Sequence, residues 1–242
     1  MQAPADKQER AAIERPGGFR RFRYLIDILV LAAGTLVAEN LCERIFAPTD
    51  FRSGVLVDLI SKVPAFLIAW LLLRLRGESL ASIGLKAPRS WTRAFMLGLL
   101  VAASVFAAVF VSEKFGYRRN LTAFNALQGN LELTLYQICY VLIGAGFYEE
   151  FMFRGFLFQA LAMFLGGTRA AWIAACVIQA ALFGWAHAYQ NPLGIAITGT
   201  IGLIMGMLFL VGGRNLWPLI IGHGLYDASR TILFYFQGTP SP

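Results

Sequence analysis

Two adjacent acids, Glu149 and Glu150, stand inside an apolar stretch of this 242-residue chain. Residues 142–148 before them and 151–153 after them carry no charged side chain. A charge at the centre of a bilayer costs about 2.5–3.5 kcal/mol on insertion scales, so acids within a membrane span indicate a functional site. We therefore begin with proton transfer as the chemistry that this pair suggests.

Arg154 distinguishes the two acids. On an α-helix, Glu150 and Arg154 are four residues apart and differ by about 40° around the axis, whereas Glu149 lies about 140° from Arg154. The pattern predicts that Glu150 pairs with Arg154 and that Glu149, without that partner, acts as a general base or acid. In the alternative interpretation, both glutamates belong to one structural salt-bridge cluster.

The chain has only two histidines, His187 and His223, and both lie in apolar runs. Phe183 precedes His187 by one helical turn, and Asp227 follows His223 by one turn. An aspartate four residues from a histidine can fix the imidazole tautomer or raise its basicity. His187, His223 and the carboxylate of Glu149 could alternatively supply three ligands of a catalytic zinc ion, with a fourth position left for water.

The elements that must position these residues are membrane helices. The chain is 57% hydrophobic and only 14% charged, which predicts an all-α, polytopic transmembrane helical bundle. The fourth apolar run is too long for one simple span, so it either continues past the membrane surface or breaks near Gly155, which would give eight helices instead of seven. The seven runs lie near residues 24–41, 55–73, 94–112, 133–161, 170–188, 193–211 and 217–236.

The charge distribution predicts the orientation. Residues 1–23 read as a flexible basic tail, and residues 24–236 as a single transmembrane domain. Lys and Arg concentrate in this tail and in residues 74–93, which by the positive-inside rule places the N-terminus in the cytoplasm of a bacterium, with the bundle in its inner (plasma) membrane. The net charge of +7 is then matched by anionic lipid headgroups and not by nucleic acid.

Two further features have structural interpretations. Asp58 and Lys62 are four residues apart on the second span and are predicted to neutralise each other. Gly199, Gly202 and Gly206 form a face of small residues on the sixth span, which is typical of close helix packing.

Three segments together resemble the CAAX-protease and bacteriocin-processing family of intramembrane peptidases, also called the CPBP or ABI family. The resemblance covers about residues 78–236. It rests on a double glutamate with an arginine four residues after the second, then Phe-x-x-x-His, then His-x-x-x-Asp, at Glu149, Glu150, Arg154, Phe183, His187, His223 and Asp227.

The resemblance implies an endopeptidase that hydrolyses a peptide bond in a membrane-associated or lipidated protein or peptide, with its active site inside the membrane. Glu149 and His187 would activate water, and His223 with Asp227 would stabilise the oxyanion or orient the water. Glu150, Arg154 and Phe183 would support the site. Asp227 stands where the better-known eukaryotic pattern has asparagine, and an ionised carboxylate only accepts hydrogen bonds, which favours a role in orienting His223.

The sequence leaves more than one hypothesis open for the cofactor and for the function. The resemblance implies both metal-dependent and metal-free mechanisms; glutamate-activated water without an obligatory metal is our first expectation, and zinc is the alternative. A proton-coupled transporter would use the same residue types, although polar groups would then be expected in both halves of the chain. A non-catalytic membrane scaffold or immunity protein could also retain the motif. The substrate and the oligomeric state are not predicted.

Overall fold

The structure, a computed structural model, describes residues 18–240. Within this range the chain forms eight α-helices and no β-strand. The helices are α1 (Gly18–Phe46), α2 (Phe51–Leu75), α3 (Trp91–Lys114), α4 (Leu131–Tyr140), α5 (Phe158–Phe164), α6 (Arg169–Ala186), α7 (Asn191–Val211) and α8 (Trp217–Gln237). Short 3₁₀ turns at Thr122–Leu127 and Ala188–Gln190 lie in the connections.

A π-helical segment, Val141–Leu157, joins α4 to α5, so that Leu131–Phe164 is one unbroken rod of 34 residues. The predicted alternative of a break near Gly155 is therefore wrong. A Cβ atom at Gly155 would lie 3.1 Å from Leu216 and 3.2 Å from Ile83. The glycine thus serves close packing and not a turn. π-Helical geometry is rare and is often found at functional sites.

Six helical stretches among the described residues are long and apolar enough to cross a membrane, which fits a multi-pass integral membrane protein. The predicted seventh run does form α8, but α8 is not among the six. It carries the strongly polar side chains His223, Asp227 and Arg230, which reduce its hydropathy.

The described part of the N-terminal region differs from the prediction. α1 begins at Gly18, so residues 18–23 are helical and do not belong to a flexible tail. They contain no proline that would prevent the helix from extending over them. The rest of the predicted tail, residues 1–17, lies outside the described residues.

Local side-chain contacts start several helices. Asp50 accepts the backbone N–H of Ser53 at 2.7 Å, and the Ser53 hydroxyl accepts the N–H of Asp50 at 3.1 Å, a reciprocal capping box. The Ser53 N–H and the Ser53 hydroxyl both donate to the Asp50 carboxylate, and these two hydrogen bonds hold the pKa of Asp50 below its usual value. Ser90 caps α3 and Asn130 caps α4, each through one hydrogen bond that its side chain accepts from a backbone N–H.

Glycines bring α8 close to its neighbours. A Cβ atom at Gly222 would lie 2.5 Å from Val101 of α3, and one at Gly146 would lie 3.1 Å from the Cα of Gly224. The π-helical segment and α8 therefore approach backbone to backbone just below His223. The predicted glycine face of α7 is also confirmed, because a Cβ atom at Gly202 would lie 3.1 Å from the Phe183 ring of α6.

Candidate active site

Three elements bring the sequence-predicted residues to one cavity of about 480 Å³. Glu149 lies in the π-helical segment near the middle of the rod, and His187 directly follows the last residue of α6. Asp227 lies in α8, one turn after His223. Glu149, Phe183, His187, His223 and Asp227 all line the cavity.

Glu150 is held by two cationic partners. Its Oε1 accepts hydrogen bonds from Arg154 Nη1 at 2.8 Å and from His223 Nδ1 at 2.7 Å. The side chains of Glu150 and Arg154 are both 0% exposed. The pair with Arg154 is the one that the spacing predicts. The link from Glu150 to His223 crosses from the rod to α8 and was not predicted.

His223 lies between two carboxylates. Its Nδ1 contacts Glu150, and its Nε2 lies 3.3 Å from Oδ2 of Asp227. Ionised carboxylates can only accept hydrogen bonds, so both ring nitrogens must carry a hydrogen to satisfy them. This arrangement favours the imidazolium form of His223. The predicted contact between His223 and Asp227 is present.

Glu149 has a different environment from its neighbour. Its side chain lines the cavity, which that of Glu150 does not. Its Oε2, like that of Glu150, is shielded from solvent and has no hydrogen-bond partner among the described residues. Its carboxylate is close enough to His187 and His223 for electrostatic interaction with both rings, and also with Lys62. The geometry agrees with the predicted separation of the two acids and not with one shared salt-bridge cluster.

Hydrogen bonding fixes the tautomer of His187. Its Nδ1 lies 2.8 Å from the carbonyl oxygen of Phe183, which can only accept, so Nδ1 carries the hydrogen. In the neutral ring, Nε2 is then an acceptor. The Phe183 ring lies 4.8 Å from the His187 ring, as the spacing predicts, and 6.3 Å from that of His223. The Arg154 guanidinium lies 4.1 Å from the centroid of the same Phe183 ring, a cation–π contact.

The sequence analysis missed a polar contribution from α2 and α4. Asp58 and Tyr140 also line the cavity. The predicted ion pair between Asp58 and Lys62 is present, and the Tyr140 hydroxyl donates to the same Asp58 oxygen, Oδ2. Lys62 lies 5.3 Å from the centroid of the Tyr148 ring. The signal was the charged pair inside an apolar span, which was interpreted as structural only.

The cavity extends to one end of the bundle. Its outer wall includes Arg119, Leu121 and Phe124 from the α3–α4 connection and Gln190 from the α6–α7 connection. Arg119 Nη2 donates to the Tyr226 hydroxyl at 3.0 Å, which joins this connection to α8. The basic segment predicted to face the cytoplasm, residues 74–93, lies at the other end, after α2 and before α3.

The donor geometry does not fit the predicted zinc alternative. Across residues 18–240, no three His, Cys, Asp or Glu side chains are grouped so that they could hold a metal ion. Both nitrogens of His223 already face carboxylate oxygens. The set formed by His187, His223 and Glu149 is therefore a poor metal site.

Comparison with known families matches the same part of the chain. The model of a family described as "Rce1-like: Type II CAAX prenyl endopeptidase Rce1-like" matches residues 131–229. This segment runs from the start of α4 into α8 and contains every predicted site residue. The match agrees with the resemblance found in the sequence. No curated protein and no solved structure matches the chain.

Proposed function

We propose, from the match of residues 131–229 to the model of the Rce1-like family of type II CAAX prenyl endopeptidases, that this protein is an intramembrane endopeptidase whose general base is Glu149. The family supports a protease of the CAAX type. The observation that carries the assignment of the base is the contrast between adjacent acids. Glu150 accepts hydrogen bonds from Arg154 and His223 through Oε1 and does not line the cavity, whereas Glu149 does line it. The Oε2 atoms of both acids are buried without a hydrogen-bond partner among the described residues.

In the proposed reaction, Glu149 accepts a proton from a water molecule as the water oxygen attacks the carbonyl carbon of the scissile peptide bond. The electron pair of the carbonyl double bond moves to its oxygen and gives a tetrahedral oxyanion. When this intermediate collapses, the C–N bond breaks, and Glu149 returns the proton to the leaving nitrogen. Each proton-transfer role of this kind contributes about 10²–10⁴-fold in rate.

The two histidines take different roles in this scheme. His187 offers Nε2 as a hydrogen-bond acceptor, which helps to orient the attacking water beside Glu149. His223 carries a positive charge that stabilises the oxyanion, and Asp227 orients its ring. Glu150, Arg154 and Phe183 hold His223 and His187 in place and do not exchange protons with the substrate.

The substrate class follows from the family description and the cavity. We propose a membrane-associated or lipidated peptide, and a prenylated peptide with a C-terminal CAAX sequence is the probe of choice. The protein is reconstituted in liposomes with this peptide, and products are identified by mass spectrometry. We expect a single cleavage site in the peptide and at least a 100-fold loss of rate in Glu149→Gln.

The outcome separates the candidate functions. Cleavage by Glu149→Gln at the wild-type rate would refute Glu149 as the base. Binding of the peptide by the wild-type protein without any product would favour a scaffold. Proton flux into the liposomes that depends on Glu149, again without product, would favour a transporter. Asp58 and Lys62 near the cavity give the first half of the chain a polar contribution, so this control for flux is necessary.

We also propose the orientation that the basic residues predict. With residues 74–93 at the cytoplasmic face of a bacterial inner membrane, the cavity extends toward the opposite face. Peptides would then reach Glu149 from the side that faces away from the cytoplasm.

A further inference from the structure

A second cavity, of about 520 Å³, lies at the basic end of the bundle and includes residues at the start of α8, before His223. It is a cleft between the start of α3, the end of α7 and the start of α8. Lys86, Arg89 and Arg93 line its rim, and Leu97, Leu208 and Val211 line its wall. We call it the basic cleft.

All the charged side chains that line the basic cleft are basic. The segments that form it belong to two stretches of the chain, residues 79–112 and 151–226, and neither stretch contains an acidic residue. Lys86 and Arg93 are exposed. Lys86 and Arg93 therefore give the rim a positive charge, and a negatively charged group is its natural complement.

Aromatic residues place the rim at the depth of lipid headgroups. Trp91 and Trp217 pack edge to face beside it, with ring centroids 5.1 Å apart, and Trp91 is 55% exposed. Tryptophan is enriched at the interface between membrane and water. Beyond the rim, about two turns after Arg93 on α3, the wall continues with exposed apolar side chains such as Leu100, which is 62% exposed. The chemistry thus changes from cationic to apolar along the direction of a lipid molecule.

The backbone around the rim is fixed. Leu216 donates its N–H to the Gly84 carbonyl at 3.0 Å, and Asn215 Nδ2 donates to the Lys86 carbonyl at 3.0 Å. Gly84 has a φ of 96°, and a Cβ atom there would lie 2.7 Å from the Arg214 carbonyl oxygen, so only glycine permits this approach. The connection that carries Lys86 is thereby held against the connection before α8, and the cleft is preformed.

We propose that the basic cleft binds one anionic phospholipid. Lys86, Arg89 and Arg93 would contact the phosphate, and an acyl chain would lie along Leu97, Leu208 and Val211. Basic pockets between transmembrane helices on the cytoplasmic side are known to bind lipid headgroups. This proposal does not depend on the peptidase activity, because the cleft shares no residue with the candidate active site.

The test is native mass spectrometry of the full chain in detergent with added phosphatidylglycerol, and with phosphatidylcholine of the same acyl chains. We expect one phosphatidylglycerol to be retained in preference to phosphatidylcholine. Each basic side chain near a headgroup contributes about five-fold in affinity, so Lys86→Gln/Arg93→Gln should weaken binding about 25-fold. Lys86→Arg/Arg93→Lys keeps both charges and should bind within about two-fold of the wild type.

Arg74→Gln/Arg169→Gln is the matched control, because both arginines are exposed near the same end of the bundle and neither lines the cleft. This variant should keep wild-type affinity. Equal loss in the two glutamine double variants would overturn the proposal, as would equal binding of the two lipids. Displacement of the lipid by millimolar inorganic phosphate would also overturn it, since the cleft would then be an anion site without a contribution from acyl chains.

Discussion

Replacing Glu150 by glutamine tests the division of labour between the adjacent acids. The change keeps the shape of the side chain but removes the charge that accepts from both Arg154 and His223. The neighbouring change, Glu149→Gln, removes a charge whose Oε2 has no hydrogen-bond partner among the described residues. The two variants have the same chemistry at consecutive positions, so each is a control for the other.

We expect a large loss of stability in Glu150→Gln and a small one in Glu149→Gln. The side chains of Glu150 and Arg154 are 0% exposed, and His223 is only 10% exposed, so solvent cannot replace the lost charge. Breaking a buried ion pair by removing one partner costs about 3–5 kcal/mol. At about 2–4 °C per kcal/mol for a protein of this size, Glu150→Gln should lower the Tm by about 6–20 °C. Glu149→Gln breaks no ion pair and should leave the Tm within about 2 °C of the wild type.

The assay follows intrinsic tryptophan fluorescence during heating in detergent, with cleavage of the prenylated peptide measured on the same samples at a temperature at which both variants are folded. We expect Glu149→Gln to be stable and inactive, and Glu150→Gln to be unstable with residual activity. An unchanged Tm for Glu150→Gln would show that the contacts of Glu150 are not important for stability. An equal fall in Tm for Glu149→Gln would mean that both acids have structural roles, and the proposed base would be lost.

Three further predictions follow. Gly184→Ala should destabilise the α6–α7 contact by about 1–3 kcal/mol in thermal unfolding, because the new Cβ atom would lie 2.5 Å from the Ile195 carbonyl oxygen. In the control Gly54→Ala the new Cβ atom has no neighbour within 4 Å, so this variant should be neutral or stabilising. Chelation should leave peptide cleavage unchanged, and elemental analysis should find no stoichiometric zinc; zinc whose removal abolishes cleavage would contradict this. In a cysteine-free background, Ala123→Cys should react with a membrane-impermeant maleimide in intact bacterial cells, and Ala87→Cys only after cell disruption; the reverse pattern would invert our orientation.

Much of the fold could be predicted because each span is a local pattern. Runs of about 20 apolar residues must satisfy their backbone hydrogen bonds internally, so they form helices wherever they are placed. The start of α1 was less predictable, because residues 18–23 are polar enough to read as a tail yet contain nothing that stops a helix. The sequence left open whether the fourth run continues or breaks near Gly155, because the neighbours that pack against this glycine, Leu216 and Ile83, come from distant parts of the chain.

In the candidate site, too, contacts within one helix could be predicted from the sequence and contacts between helices could not. The pairs of Glu150 with Arg154 and of His223 with Asp227 each lie within one helix at a spacing of four residues, so helical geometry alone predicts them. The contact of His223 with Glu150 depends on how closely α8 approaches the rod, which is set by Gly146 and Gly224 together. The position of Tyr140 beside Asp58 likewise depends on packing between helices, for which a single sequence gives no direct signal.

Charge pairing around the cavity supports the proposal that Glu149 is the general base. Three cations belong to the site, and each already contacts another acid: Arg154 with Glu150, His223 with Glu150 and Asp227, and Lys62 with Asp58. These three cations balance the charges of Glu150, Asp227 and Asp58, so a fourth carboxylate has no counter-charge of its own. His187 adds none while it is neutral. A carboxylate without a counter-charge of its own is available to accept a proton from water in the cavity, which is the role that we propose for Glu149. A variant that frees one of these cations should therefore reduce cleavage. In Asp58→Asn, Lys62 loses its carboxylate partner and becomes available to pair with Glu149.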